Sequence, residues 1–256
     1  MMHTLNDLEN FTIHATDGTL GQVKDFYFDD RKWVVRYLVV ETGSWLSSRK
    51  VLLSPIAIKN IDREAKTLHV SISMEQVKNC PDIDTEKPVS RQYEIDFLSY
   101  YGFPFYWGNT GLWGPYPTPF LLVPDHPSAQ QMGLDITSQE TAQHYDHHLR
   151  SYDDVAGYHL HATNGDIGHV KDMLIDEESW AIRYCIVDTS NWWSGHKVLI
   201  APEWIEEVNW VDSKVYVSLT QQQVQDAPLF DPDVPFNREH EKGIHSHYGR
   251  KGYWED

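Results

Sequence analysis

Along its first hundred residues the chain alternates apolar and polar positions in short runs, the period of half-buried strands rather than of helices. A run at residues 12–16 ends at Asp17-Gly18, a turn pair whose glycine accepts the positive φ of a tight hairpin. Residues 20–29 alternate in part, with Leu20, Val23, Phe26 and Phe28 predicted to face inward. A polar turn at residues 29–32 then leads into a nearly unbroken apolar run, residues 33–42, rich in Val and Tyr. That composition predicts a central strand covered on both faces. Residues 50–54 form a short strand stopped by Pro55, and residues 58–62 and 68–73 predict two more around the polar turn 63–67. Ser73 and Gln76 stand at capping-box spacing ahead of one or two helical turns, which Pro81 ends.

The pattern is written twice. Shifted by 147 residues, the stretch His14 to Asp25 meets His161 to Asp172, and the match runs without a gap from His14–Trp107 to His161–Trp254. About 35 of these 94 positions are identical, among them Trp33, Arg36 and Tyr37 with Trp180, Arg183 and Tyr184. Arg91, Glu94, Tyr106 and Trp107 likewise recur as Arg238, Glu241, Tyr253 and Trp254. A unit of this length is too large for a solenoid repeat and predicts a duplicated domain. The expected division is a first copy at 1–107, a linker at 108–151 and a second copy at 152–256. Thr137 and Glu140 in the linker have the spacing of a short capped helix.

The motif Ala-Thr-Asp-Gly-x-x-Gly-x-Val-x-Asp from Ala15 to Asp25, then Trp33-x-x-Arg-Tyr-x-x-Val40, then Lys50-Val-Leu-Leu-x-Pro55, closed by Gln76-Val77 and Pro81, resembles the PRC-barrel family. That family includes the cytoplasmic domain of the photosynthetic reaction-centre H subunit and the C-terminal domain of a ribosome-maturation factor. The chain looks like the tandem PRC-barrel proteins of bacteria. The resemblance implies a mainly β protein with a small closed β-barrel in each half, each followed by a short helix and an aromatic arm. It also implies binding and assembly rather than catalysis.

Composition narrows the partners. With 41% hydrophobic and 13% aromatic residues in 256, the chain can fill two cores. Its 21 basic and 38 acidic residues give a formal charge of −17, a field that repels nucleic-acid backbones and anionic membranes. No nucleic-acid partner is therefore expected. Cys80 and Cys185 fall at non-equivalent places in the two copies and read as reduced, partly buried thiols. The opening residues lack the pattern of a secretory signal, and no apolar run approaches the roughly 18 residues that span a bilayer. A soluble, cytoplasmic protein without a transmembrane segment is expected.

Candidate chemistry is thin. His144, His147 and His148, then His240, His245 and His247, are grouped, but no HExxH or CxxC accompanies them, so no metal or other cofactor is expected. Lys24, Asp25, Arg36 and Lys50 recur as Lys171, Asp172, Arg183 and Lys197; paired charges at a barrel mouth account for them without acid–base catalysis. Gly18 and Gly21 precede no helix and are hairpin glycines, not a phosphate loop. No catalytic residue is assigned. The residues open to an interaction role are aromatic: Trp45, Trp192 and Trp193 on the loop before the Lys-Val-Leu strand, and Phe103, Phe105, Trp107, Trp113, Tyr253 and Trp254 in the arms. The alternative for all of them is packing over their own barrel. The function expected is a non-catalytic module that binds a protein partner and self-associates as a homo-oligomer. An accessory role in a photosynthetic or other membrane complex, or in ribosome assembly, is the alternative that the resemblance supplies.

Overall fold

The computed structural model describes residues 1–85, 87–123, 148–189 and 196–255. In the first half, β1 (Met2–Thr4) and α1 (Leu5–Leu8) precede β2 (Thr12–Ala15), β3 (Gly18–Asp29), β4 (Val34–Thr42), β5 (Lys50–Leu53), β6 (Ile58–Asp62), β7 (Thr67–Val70), α2 (Met74–Lys78) and α3 (Arg91–Tyr101). The second half repeats the order: β8 (Leu149–Ser151), α4 (Tyr152–Val155), β9 (His159–Ala162), β10 (Gly165–Asp176), β11 (Ile182–Asp188), β12 (Lys197–Ile200), β13 (Ile205–Asn209), β14 (Lys214–Val217), α5 (Gln221–Gln225) and α6 (Arg238–Tyr248). Thr137 and Glu140 lie outside the described residues.

The protein is mainly β, and its described residues form two sheets of seven strands. One runs β5-β4-β3-β2-β7-β6, and the other runs β12-β11-β10-β9-β14-β13. In each the β2–β7 or β9–β14 contact is parallel and the other neighbours are antiparallel. The closed barrel implied by the resemblance is corrected here: among the described residues each hydrogen-bonded order ends at β5 and β6, or at β12 and β13, without joining them.

The seventh strand of each sheet comes from across the chain. β8 pairs antiparallel with the end of β3, placing Ser151 opposite Tyr27 and Leu149 opposite Asp29. β1 pairs with the end of β10, placing Thr4 opposite Leu174 and Met2 opposite Asp176. Shifted by 147 residues, the two registers coincide. The compact units follow this exchange: one holds Leu8–Tyr152 with Glu178–Ala181, the other Met1–Asp7 with Asp153–Glu177 and Ile182–Asp256. A three-residue strand carries too little periodicity to show which sheet it joins.

Inward residues are where alternation places them. Leu20, Val23, Phe26 and Phe28 are buried, and β4 is buried from Val34 to Val40. Each such side chain contributes about 1.5–3 kcal/mol by leaving water. Trp33 takes a left-handed φ of 52°, so the strand starts one residue later than its composition suggests. The short helices α2 and α5 carry the predicted capping boxes, Ser73 with Gln76 and Thr220 with Gln223.

Two longer helices complete the units. α3 starts at Ser90, whose hydroxyl accepts from the Tyr93 amide, and ends at Gly102 with φ 68°. It buries Glu94, Phe97, Leu98 and Tyr101, one face at helical spacing. α6 is capped by Asn237 and Gly249 and buries Glu241, Ile244, His245 and Tyr248.

Candidate functional site

Each unit encloses a polar cluster built from the residues that both copies share. In the first-copy unit, Arg36 and Tyr37 of β4 meet Arg91 and Glu94 of α3 and Tyr106 of the arm. The Tyr37 hydroxyl donates to Glu94 Oε1 at 3.1 Å, and the Tyr106 hydroxyl donates to the same oxygen. Arg91 pairs with the other oxygen, Oε2, at 3.0 Å. Arg36 lies over the Tyr106 ring with its Cζ 3.9 Å from the centroid, donates to Leu112 O at 2.7 Å and pairs with Asp29 at 3.1 Å. Trp107 covers Arg91 at 4.1 Å. His148, just before β8, closes the group: Arg91 Nη2 lies 3.4 Å from its Nδ1, and its Nε2 lies 3.1 Å from the Tyr106 hydroxyl.

The second-copy unit repeats the arrangement. Tyr184 and Tyr253 donate to Glu241 Oε1 at 3.2 and 2.9 Å, and Arg238 pairs with Oε2 at 2.9 Å. Arg183 stacks on Tyr253 at 3.8 Å and Arg238 on Trp254 at 4.3 Å. A histidine is present here too, from a different backbone position. His245 of α6, which stands where the first copy has Leu98, places Nε2 3.0 Å from the Tyr184 hydroxyl.

Burial sets the electrostatics of the first cluster. It pushes Glu94 up to about 7, against the opposing pull of Arg91 and the two phenols. Burial and the neighbouring Glu94 carboxylate raise Tyr37 and Tyr106 well above the ordinary phenol range, so both stay protonated donors. Burial works to raise Asp29 as well, but Arg36 with the surrounding partners holds it below the ordinary carboxylate value. Removing any one charged member would leave its partner buried and uncompensated, which makes the cluster a fastener for helix and arm. Its polar atoms face each other.

Three of the repeated charges outside the clusters, Asp25, Asp172 and Lys24, have structural partners. Asp25 Oδ2 accepts from the Ser151 hydroxyl at 2.7 Å, and Asp172 Oδ1 accepts from the Asn6 amide at 3.3 Å. The shared Asp thus anchors the exchanged segment in each sheet. Lys24 donates to Asn10 Oδ1 at 2.9 Å. Asp17 and Asn164 accept from the first amides of α2 and α5, at Met74 and Gln221. Gly21 is dictated by space: with φ 158°, a Cβ there would lie 2.0 Å from Glu41 O.

The aromatic residues assigned to an interaction role occupy different environments. Trp113 is fully buried and its indole donates to Ser179 O at 2.7 Å. Phe103 is buried and stacks on Tyr101. Phe105, Trp107, Tyr253 and Trp254 are half-buried, with Phe105 and Trp107 stacked 4.7 Å apart. Trp45, also half-buried, donates its indole N–H to Leu20 O at 2.7 Å. Trp192 and Trp193 lie outside the described residues, as do His144 and His147. Each arm packs on its own unit; the segments that cross are β1 and β8. Neither Cys80 nor Cys185 is in a disulfide, both are buried, and burial pushes the Cys185 thiol up to about 12. Among the described residues, no group of three potential metal ligands forms, and no helix is long and apolar enough to cross a membrane.

The sequence clues that could have located the clusters are the identities of Arg36, Tyr37, Arg91, Glu94, Tyr106 and Trp107 in both copies. Their convergence from strand, helix and arm is visible only in three dimensions, and the two histidines, being non-equivalent, leave no trace in the alignment of the halves.

Residues 1–77 match the PRC-barrel domain. A protein of Deinococcus radiodurans described as uncharacterized is 39% identical over 85 residues, which cover 32% of this chain and 30% of that protein. The matched part thus spans about a third of the relative's length.

Proposed function

We propose that the protein is a non-catalytic, two-unit binding module, descended from a duplicated single-unit ancestor, that assembles with a protein partner. The observation that carries this reading is where the shared polar residues go. The Arg, Tyr and Glu side chains kept in both copies are spent on one another, fixing α3 or α6 and the following arm to a sheet. Such an arrangement suits a rigid platform more than a reacting centre, whose groups must meet a substrate. The PRC-barrel match over residues 1–77 and the two aromatic arms agree with binding.

The surface available to a partner includes the outer faces of Trp107 and Trp254 and the exposed Phe120 that follows the first arm. Photo-cross-linkable residues placed at these three positions in native cells test the reading. Capture of one discrete protein at Trp107 or Trp254, and not at the polar turn residue Glu64, is expected. Equal, diffuse labelling at all positions would overturn it.

A further inference from the structure

We propose that Asn164 is a self-modification site: the folded chain converts this asparagine to aspartate or isoaspartate, assisted by the first backbone amide of α5. The conversion is independent of what the module binds, so its failure would leave that reading standing.

Asn164 is exposed in the turn between β9 and β10, and it is the one asparagine of the chain that glycine follows. Attack on Asn Cγ by the backbone nitrogen of the next residue is least hindered where that residue has no Cβ. The turn itself demands the glycine. Gly165 has a φ of 144°, and a Cβ there would lie 2.8 Å from Gln221 Nε2. The Gln221 backbone N–H donates to Asn164 Oδ1 at 2.8 Å. That oxygen takes the negative charge when Gly165 N attacks, so a donor fixed on it stabilises the tetrahedral intermediate.

The reaction needs only the chain and water. Gly165 N bonds to Asn164 Cγ and gives its proton to solvent. The Cγ–Nδ2 bond then breaks, and ammonia leaves with a proton returned from solvent, closing a succinimide ring. Water opens the ring. Scission of the Cγ–N bond gives aspartate, and scission at the main-chain carbonyl gives isoaspartate, whose backbone is longer by one carbon. The aspartate product has a precedent in the first copy. Asp17 occupies the equivalent position before Gly18, and its Oδ1 accepts from the Met74 amide at 2.7 Å, as Asn164 accepts from Gln221.

The donor can be removed without displacing the helix. Gln221 is the first residue of α5 and Thr220 before it is extended, with φ −91° and ψ 156°, so proline fits at 221 and lacks the N–H. The full-length chain, Gln221→Pro and Gln221→Ala are held folded at mildly alkaline pH, and their peptides are followed by mass spectrometry. The Asn164 peptide of the parent is expected to gain the mass of an amide-to-acid conversion ahead of every other asparagine. Gln221→Pro is expected to slow that gain several-fold, and Gln221→Ala, which keeps the N–H, to leave it unchanged. Asn164→Asp is expected to unfold at no lower a temperature than the parent. An Asn164 that stays intact or converts no faster than the other asparagines overturns the proposal. So do Gln221→Pro and Gln221→Ala chains that convert alike, or an Asn164→Asp chain that unfolds at a lower temperature, since the fold would then reject the product.

Discussion

Tyr37 donates its hydroxyl to Glu94 at 3.1 Å inside the first-copy unit, joining the central strand to the helix packed over it. The equivalent pair, Tyr184 and Glu241, does the same at 3.2 Å in the other unit. The two clusters share this chemistry but differ in depth: the Arg91 side chain is 10% exposed where that of Arg238 is 46% exposed.

The difference in depth predicts unequal costs. Glu94→Ala leaves Arg91 without its buried carboxylate and the Tyr37 and Tyr106 hydroxyls without their acceptor, and is expected to destabilise the protein by about 3–5 kcal/mol. Glu241→Ala is expected to cost clearly less, because water reaches Arg238 and replaces part of the lost pairing. Tyr37→Phe removes one donor and should cost about 1–3 kcal/mol. Urea unfolding followed by tryptophan fluorescence measures all three.

The elevated Glu94 sets a pH dependence. Its ordinary value is 4.5, and burial raises it in the folded protein to about 7. Between those values the folded state holds a proton that the unfolded state has lost. Stability from this group is therefore greatest below 4.5, falls as pH rises through the window and levels off above about 7. Glu94→Gln removes the titration. Unfolding curves at both ends of the window are expected to show a smaller loss of stability with rising pH in the variant than in the parent.

Space predicts a sharp effect at the hairpins. Gly21→Ala would put a methyl group 2.0 Å from Glu41 O, and Gly168→Ala would put one 2.2 Å from Asp188 O. Both glycines also hold positive φ, at 158° and 142°. Each substitution is expected to cost more than the roughly 1 kcal/mol of an ordinary glycine replacement. Thermal unfolding reads the loss, with exposed Gly243→Ala in α6, where nothing lies near a new Cβ, as the neutral or stabilising control.

Asp25 should govern the exchanged strand locally. Asp25→Ala removes the acceptor of the Ser151 hydroxyl, and amide hydrogen exchange at β8 is expected to accelerate several-fold while exchange in β4 changes little. Equal acceleration in both strands would point to a global rather than a local role.

The six inner strands of each sheet were legible in the chain because their inward residues alternate or run together, and α2 and α5 because capping boxes announce them. The first copy's α3 was not legible. Its buried face includes Glu94 and Tyr101, so a polar residue stands where the helical period calls for an apolar one. Nor was the strand exchange, because a strand's preference for a near or far slot lies in tertiary contacts such as Asp25 with Ser151. The duplicated identities pointed to the residues of the clusters without revealing that they meet, and the supply of a histidine from His148 in one unit and His245 in the other could be seen only once both were folded.

The most direct test of the proposed role is the size of the protein in an extract of its native cells, compared with that of the purified chain at the same concentration. A binding module is expected to elute in a larger complex containing one reproducible partner, and to return to the size of the purified chain when that partner is removed. Elution at the size of the purified chain from the outset would contradict it.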